Sequence, residues 1–343
     1  SSCIGIARKT KRAVILVTND IMMRIAAAAC GVEVQEYKND QIKESSYMGY
    51  REIKTSREII DDIYKKQSLA PEIFADEKPF VANEYITLTD GNTSALCVYR
   101  DNCIRLLKDT TAFGIRPQNR LQRFALDALL APAEEIPLVI LRGPAGTSKT
   151  FLSMAAALDK TYTDEFTRHT SSTSYDKIYI GRANVSSDEA FGFLPGELED
   201  KTRPLLGCFY SNLEDLLRKG NHEEDAQIQI QIDDMMETGL LRVFPLAYIR
   251  GMSIKNSFII CDEAQNIGRS LIRDIVTRCG QGSKLVILGD TNQIDVSFLD
   301  KTNSGLTYLA HNMKGSTKCA QITFTEKESV RSALATEALN RLM

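Results

Sequence analysis

Residues 137–158, PLVILRGPAGTSKTFLSMAAAL, constrain this 343-residue chain more than any other stretch. An apolar run from Pro137 to Leu141 enters the turn GPAGTSKT, and an alanine-rich run follows. The pattern predicts a buried strand, a loop and a helix. Backbone N–H groups of such a loop, together with the helix N-terminus, converge on an anion. The candidate phosphate cradle is Gly143, Pro144, Ala145, Gly146, Thr147, Ser148, Lys149, Thr150 and Phe151. Within it Lys149 would reach the β- and γ-phosphates of a nucleotide, and the Thr150 hydroxyl would sit on Mg²⁺. The spacing is that of G-x-x-x-x-G-K-[ST], with one departure. Ser148 occupies the last glycine position and puts a side chain where backbone approaches the phosphates.

Three further stretches carry chemistry. In FIICDEAQN, 258–266, an apolar strand ends at Asp262, which can hold Mg²⁺ opposite Thr150, and Glu263 beside it is placed to deprotonate an attacking water. In LVILGDTNQID, 285–295, another apolar strand ends in Gly289-Asp290, and Gln293 can bond the γ-phosphate or the lytic water. Ahead of the cradle, GIRPQNRLQRFALDALL, 114–130, opens an amphipathic helix at Asn119 and Gln122. Their amides can donate to and accept from an adenine edge, and the chain has no N-K-x-D guanine-reading motif. Each stretch has a plainer reading as a helix cap, a turn or a first helical turn.

Composition removes several classes. Net charge is −3, so no chain-wide basic field attracts nucleic acid, and any such binding is local. Eight cysteines are scattered with no C-x-x-C pair, which points to reduced thiols in a cytoplasmic protein and away from disulfides or zinc. No apolar run has the length to span a bilayer, so no membrane partner is expected.

Four units follow in order. Residues 13–37 read as strand, helix and strand. Residues 38–78 read as a charged linker with one helix, capped by Ser56. Residues 79–112 alternate as short strands around the turn Asp90-Gly91-Asn92, forming a β-rich module that either binds RNA or bridges its neighbours. Residues 113–343 form an α/β domain, with strands expected at 177–181, 240–244, 257–261, 284–288 and 321–325. Residues 159–174 and 220–234 read as exposed inserts, either mobile loops or ragged helix ends.

The ordered set resembles the RecA-like domain of superfamily 1 helicases, and most closely the PhoH-like ATPases. Besides the cradle and DEAQN it includes GRANVSSDEAFGFLPGELEDK (181–201), PLAYIRG (245–251), GDTNQID (289–295) and VRSALAT (330–336). Residues 1–37 resemble the C-terminal end of a PIN nuclease domain, where a strand ends in T-N-D and the aspartate, here Asp20, helps bind a metal. Without further carboxylates Asp20 acts as a helix cap, and the segment reads as an inert remnant. Together these match the bacterial PIN–PhoH fusions. The resemblance implies a RecA-like P-loop core with a mainly parallel sheet, and an ATPase moving on single-stranded RNA as a ring, in all expectation a hexamer. It also implies that Arg331 approaches the γ-phosphate, and that Arg182 and Arg250 lie near the nucleic-acid path or a subunit interface. The rival readings are an ATP-gated assembly ring that never translocates, and an active ribonuclease regulated by its ATPase.

Overall fold

The computed structural model describes residues 3, 5, 6, 9, 13–18, 21–35, 42, 46–162, 174–183, 207–221, 225–249, 252–329 and 337. Its largest layer is a six-stranded, wholly parallel sheet: β8 (Leu138–Arg142), β9 (Lys177–Arg182), β10 (Leu241–Pro245), β11 (Ser257–Asp262), β12 (Lys284–Gly289) and β13 (Cys319–Thr323), in the spatial order β10-β9-β11-β12-β8-β13. β8, β11 and β12 are buried along their whole length, which is why they read as continuous apolar runs.

Side-chain alternation divides the core. Val139, Leu141, Ile178, Ile180, Phe258, Ile260, Val286 and Leu288 face α3 (Arg120–Leu130), α4 (Lys149–Thr161), α5 (Gly207–Asn221) and α6 (Asp225–Glu237). Leu138, Ile140, Ile259, Cys261, Leu285 and Ile287 face the other way, onto α7 (Arg269–Arg278) and α8 (Gly305–Asn312). Helices on both faces of a parallel sheet are the expected α/β arrangement.

α6 corrects the expected insert at 220–234. AQIQIQI alternates like a strand or a polar loop, yet Ile228, Ile232 and Met235, four and three residues apart, fall on one helical face and are buried, while Ile230 is left outside. Of the other expected insert, 159–174, residues 159–161 close α4 and residues 163–173 lie outside the described residues.

The expected linker at 38–78 is also corrected. It supplies β3 (Tyr50–Lys54), α2 (Arg57–Lys66) and β4 (Ser68–Leu69) to a sheet completed by β5 (Glu84–Thr89), β6 (Ser94–Arg100) and β7 (Cys103–Leu106), in the order β3-β5-β6-β7-β4. β3 is an edge strand carrying Arg51, Glu52 and Lys54, so its one buried apolar residue, Ile53, gave little periodicity to read. Ile60 and Ile63 of α2 pack on one face. On the other, Tyr85 stacks on Phe124 of α3 with ring centroids 4.8 Å apart, and its hydroxyl donates to Asp127 Oδ2 at 2.9 Å.

Residues 48–49 join the two sheets. Thr323 N of β13 donates to Met48 O at 2.9 Å, and Tyr85 N of β5 donates to Gly49 O at 3.0 Å. Gly49 has φ +88°, and a Cβ there would lie 1.6 Å from Gln321 O, so only glycine passes. Near the N-terminus β1 (Ile15–Val17) and β2 (Glu33–Gln35) form a parallel pair around α1 (Ile21–Ala29). Among the described residues no helix is long and apolar enough to cross a membrane.

Lys284, the first residue of β12, is fully buried. Its Nζ donates to Ala131 O at 2.6 Å, beyond the end of α3, and to Ile136 O at 2.9 Å. Burial pushes its ammonium down from 10.5 to about 7, with Arg100 adding to the effect. The unfolded chain therefore holds the lysine proton more tightly. The resulting penalty is absent above the unfolded value and fully present below the folded one, so stability rises with pH across that window. Between pH 7 and 8.5 the urea midpoint of the unmodified protein should rise relative to that of Lys284→Met. The range stops there because the Cys97 and Cys261 thiols, held above their ordinary range by burial, act in the opposite direction at higher pH. Parallel profiles for the two proteins would show that Lys284 keeps its proton in the fold.

Candidate active site

The loop GPAGTSKT joins β8 to α4, the strand-loop-helix order expected of it. Gly143 has φ +132° and Gly146 φ +80°, and a Cβ on Gly143 would lie 2.5 Å from Phe324 O. Gly143 N donates to Gly289 O at 3.1 Å, fastening the loop to the end of β12. Ser148, at the departure from the glycine pattern, adopts φ +65°, ψ +20° at the N-terminus of α4. A non-glycine residue in that conformation carries about 1–2 kcal/mol of strain. The buried Lys149 folds its ammonium onto the loop, donating to Gly143 O at 2.6 Å and Pro144 O at 2.8 Å.

β11 lies two places from β8, with β12 between them, and brings two carboxylates to the same end of the sheet. Thr150 Oγ1 donates to Asp262 Oδ2 at 3.4 Å. Burial pushes the Asp262 carboxyl up from 3.8 to about 6, and the neighbouring Glu263 charge pushes the same way. A hydroxyl and a carboxylate converging on one point suit Mg²⁺, a hard cation that binds oxygen and takes few protein ligands. A dication there would also offset the burial and the Glu263 charge that raise this carboxyl. The donor set fits the metal.

Glu263 follows at φ +55°, its N–H turned back on Asp262 Oδ1 at 2.9 Å. Arg182 Nη2 donates to its Oε1 at 3.1 Å, and Gln265 Nε2 to its Oε2 at 2.6 Å. The ladder explains the arginine: Arg182 and Asp262 are register partners at the ends of β9 and β11. Arg182, expected at a nucleic-acid path or an interface, thus packs against the carboxylate pair. Its other terminal nitrogen donates to Cys208 Sγ at 3.4 Å. Ala145, Gly146, Ser148, Lys149, Thr150, Phe151, Asp262, Glu263 and Gln293 line one cleft of about 380 Å³. Sequence reasoning missed Asn212 of α5, which lines it too, and gave Gln265 no role although it stands inside DEAQN.

Asn119 and Gln122 do not line this cleft. Asn119 caps α3, accepting from Gln122 N at 3.0 Å. The buried Gln122 accepts from Gln118 N at 2.8 Å. Asn119 borders a separate cavity of about 960 Å³ between α3 and the five-stranded sheet. Asp20, Arg250 and Arg331 lie outside the described residues.

A glycine loop on one parallel strand facing a carboxylate pair two strands away defines a P-loop α/β protein. Comparison with known proteins takes this further. The family model "PhoH-like protein" matches residues 114–342, and a "PIN domain" model matches residues 1–38. "Protein PhoH2" of Bacillus subtilis is 34% identical over 344 residues, covering 98% of this chain and 74% of that protein. "Protein PhoH2" of Thermobispora bispora is 30% identical, covering 96% and 71%. A Mycobacterium tuberculosis "PhoH-like protein" is 37% identical over 182 residues, covering 53% and 45%. The chain belongs to the PhoH-like protein family, with a PIN-type segment ahead of its PhoH domain.

Proposed function

We propose that this chain is an ATP-hydrolysing motor that works on single-stranded RNA within a ring of its own copies. The observation that carries the reading is the convergence of Lys149, Thr150, Asp262 and Glu263 on one cleft. In this proposal Lys149 and the loop amides clamp the triphosphate. Thr150 and Asp262 hold Mg²⁺, which when bound neutralises phosphate charge and orients the terminal group. Glu263, with both oxygens already held, takes the proton of the attacking water. Gln293 senses the terminal phosphate and Arg331 stabilises transition-state charge; an adenine contact by Asn119 and Gln122 rests on the family resemblance, since both amides are engaged within the first turn of α3. Arg250 serves the nucleic-acid path or a subunit boundary. RNA as partner and a hexameric ring rest on the family resemblance.

The test is ATP turnover by the whole chain with and without single-stranded RNA, at two salt concentrations and on sized oligomers. A motor is stimulated by RNA, and the stimulation weakens as salt rises because phosphate contacts release counterions. ATP binding with no stimulation would favour an ATP-gated assembly ring, and no turnover at all would remove the hydrolytic reading. The PIN-domain match over residues 1–38 supports a second reading, cleavage of RNA under control of the ATPase. Metal-dependent cleavage abolished by Asp20→Asn would carry it.

A further inference from the structure

Gln265 is fully buried, and its amide joins two strand ends. Nε2 donates to Glu263 Oε2 at 2.6 Å and to Gln293 O at 3.0 Å, while Oε1 accepts from Asp290 N at 3.0 Å. One side chain thus holds the acidic end of β11 and the turn that follows β12. The same turn touches the phosphate cradle, because Gly289 O accepts from Gly143 N. Packing leaves the amide no slack: a Cβ on Gly289 would lie 2.5 Å from Gln265 Oε1 and 2.7 Å from Leu306 Cδ2.

We infer that Gln265 is a positioning residue that fixes the Glu263 carboxylate to the 289–293 turn, so that the base and the cradle keep one geometry. It touches no reacting atom and acts through Glu263, and the inference rests on the proposed role of Glu263 in ATP hydrolysis. An amide is suited to this place because it donates to a carboxylate and a carbonyl while accepting from an N–H. Methionine fills the same space and makes none of these bonds. Glutamate keeps the acceptor but sets a second negative charge against Glu263. Alanine at 289 reaches the same base from the opposite side by displacing the amide.

The experiment measures steady-state ATP turnover, binding of a fluorescent ATP analogue and melting temperature for the whole chain carrying Gln265→Met, Gln265→Glu, Gln265→Ala, Gly289→Ala and the double variant Gln265→Ala/Gly289→Ala. A displacement of about 1 Å in a catalytic group lowers a rate by about a hundredfold. The expected result is a fall of about ten- to a hundredfold in kcat for Gln265→Met, with Gln265→Glu lower still and nucleotide affinity within about twofold of the unmodified chain. Gly289→Ala presses on the Gln265 amide and on Leu306 together, so its double variant with Gln265→Ala should lose less than the product of the two single losses. Undiminished kcat in Gln265→Met would overturn the inference. So would a parallel loss of affinity, melting temperature and rate, the signature of a purely structural residue. Normal turnover in Gln265→Met beside an inactive Glu263→Gln chain removes this inference alone. Absence of turnover in the unmodified chain removes the hydrolytic reading as well.

Discussion

ATP turnover falls by about 10²–10⁴-fold in a Glu263→Gln chain, the range a positioned general base contributes, while ATP binding is retained. Glutamine has the size of glutamate, and the cleft around it is built by other groups. Asp262 and Thr150 remain 3.4 Å apart, and Lys149 keeps its place on the loop. What is lost is the carboxylate proposed to take the proton of water, while Asp262 stays committed to the metal in the same proposal. Phosphate-release kinetics give the rate, and a fluorescence titration gives the affinity. Turnover equal to that of the unmodified chain would move proton transfer to another group.

Lys149→Ala has the second large effect, and it falls on binding. Charge-assisted hydrogen bonds contribute about 1.5–3 kcal/mol each, so losing the ammonium should weaken ATP binding by about 10- to 100-fold. The same substitution leaves Gly143 O and Pro144 O without the donor they have at 2.6 and 2.8 Å. The loop then loses part of what holds it, and some loss of melting temperature accompanies the weaker binding. Calorimetric titration of both proteins with ATP and Mg²⁺ separates the two effects. Equal affinities would mean that the loop amides alone carry the phosphates.

The two substitutions divide the site along the line at which it was readable. Strands β8, β11 and β12 announce themselves because each is buried on both faces, and burial on both faces writes an unbroken apolar run. Lys149, Asp262 and Glu263, at or just beyond the ends of these strands, could be proposed as site residues because such chemistry depends on local spacing. Arg182 could not, since its place beside Glu263 follows from the ladder between β9 and β11. Gln265 is similar: its partner Gln293 is 28 residues away, and nothing in DEAQN marks the bond. At the fold level β3 was hidden by its charged edge, and α6 by isoleucines that alternate while only every second one reaches the core. Neighbourhood chemistry is legible in a string of letters; contact across strands comes into view only with the sheet order.

The crossing at Gly49 bears on how such a chain tolerates rearrangement. With 1.6 Å between a notional Cβ and Gln321 O, the joint between the front module and the edge strand β13 is closed to any side chain. β13 runs directly beside β8, the strand that launches the phosphate loop. A chimera spliced near residue 48 must therefore carry its own glycine into the seam. Any other residue would act as a wedge, prising at the strand beside β8 and its glycine loop from a point remote in the primary sequence.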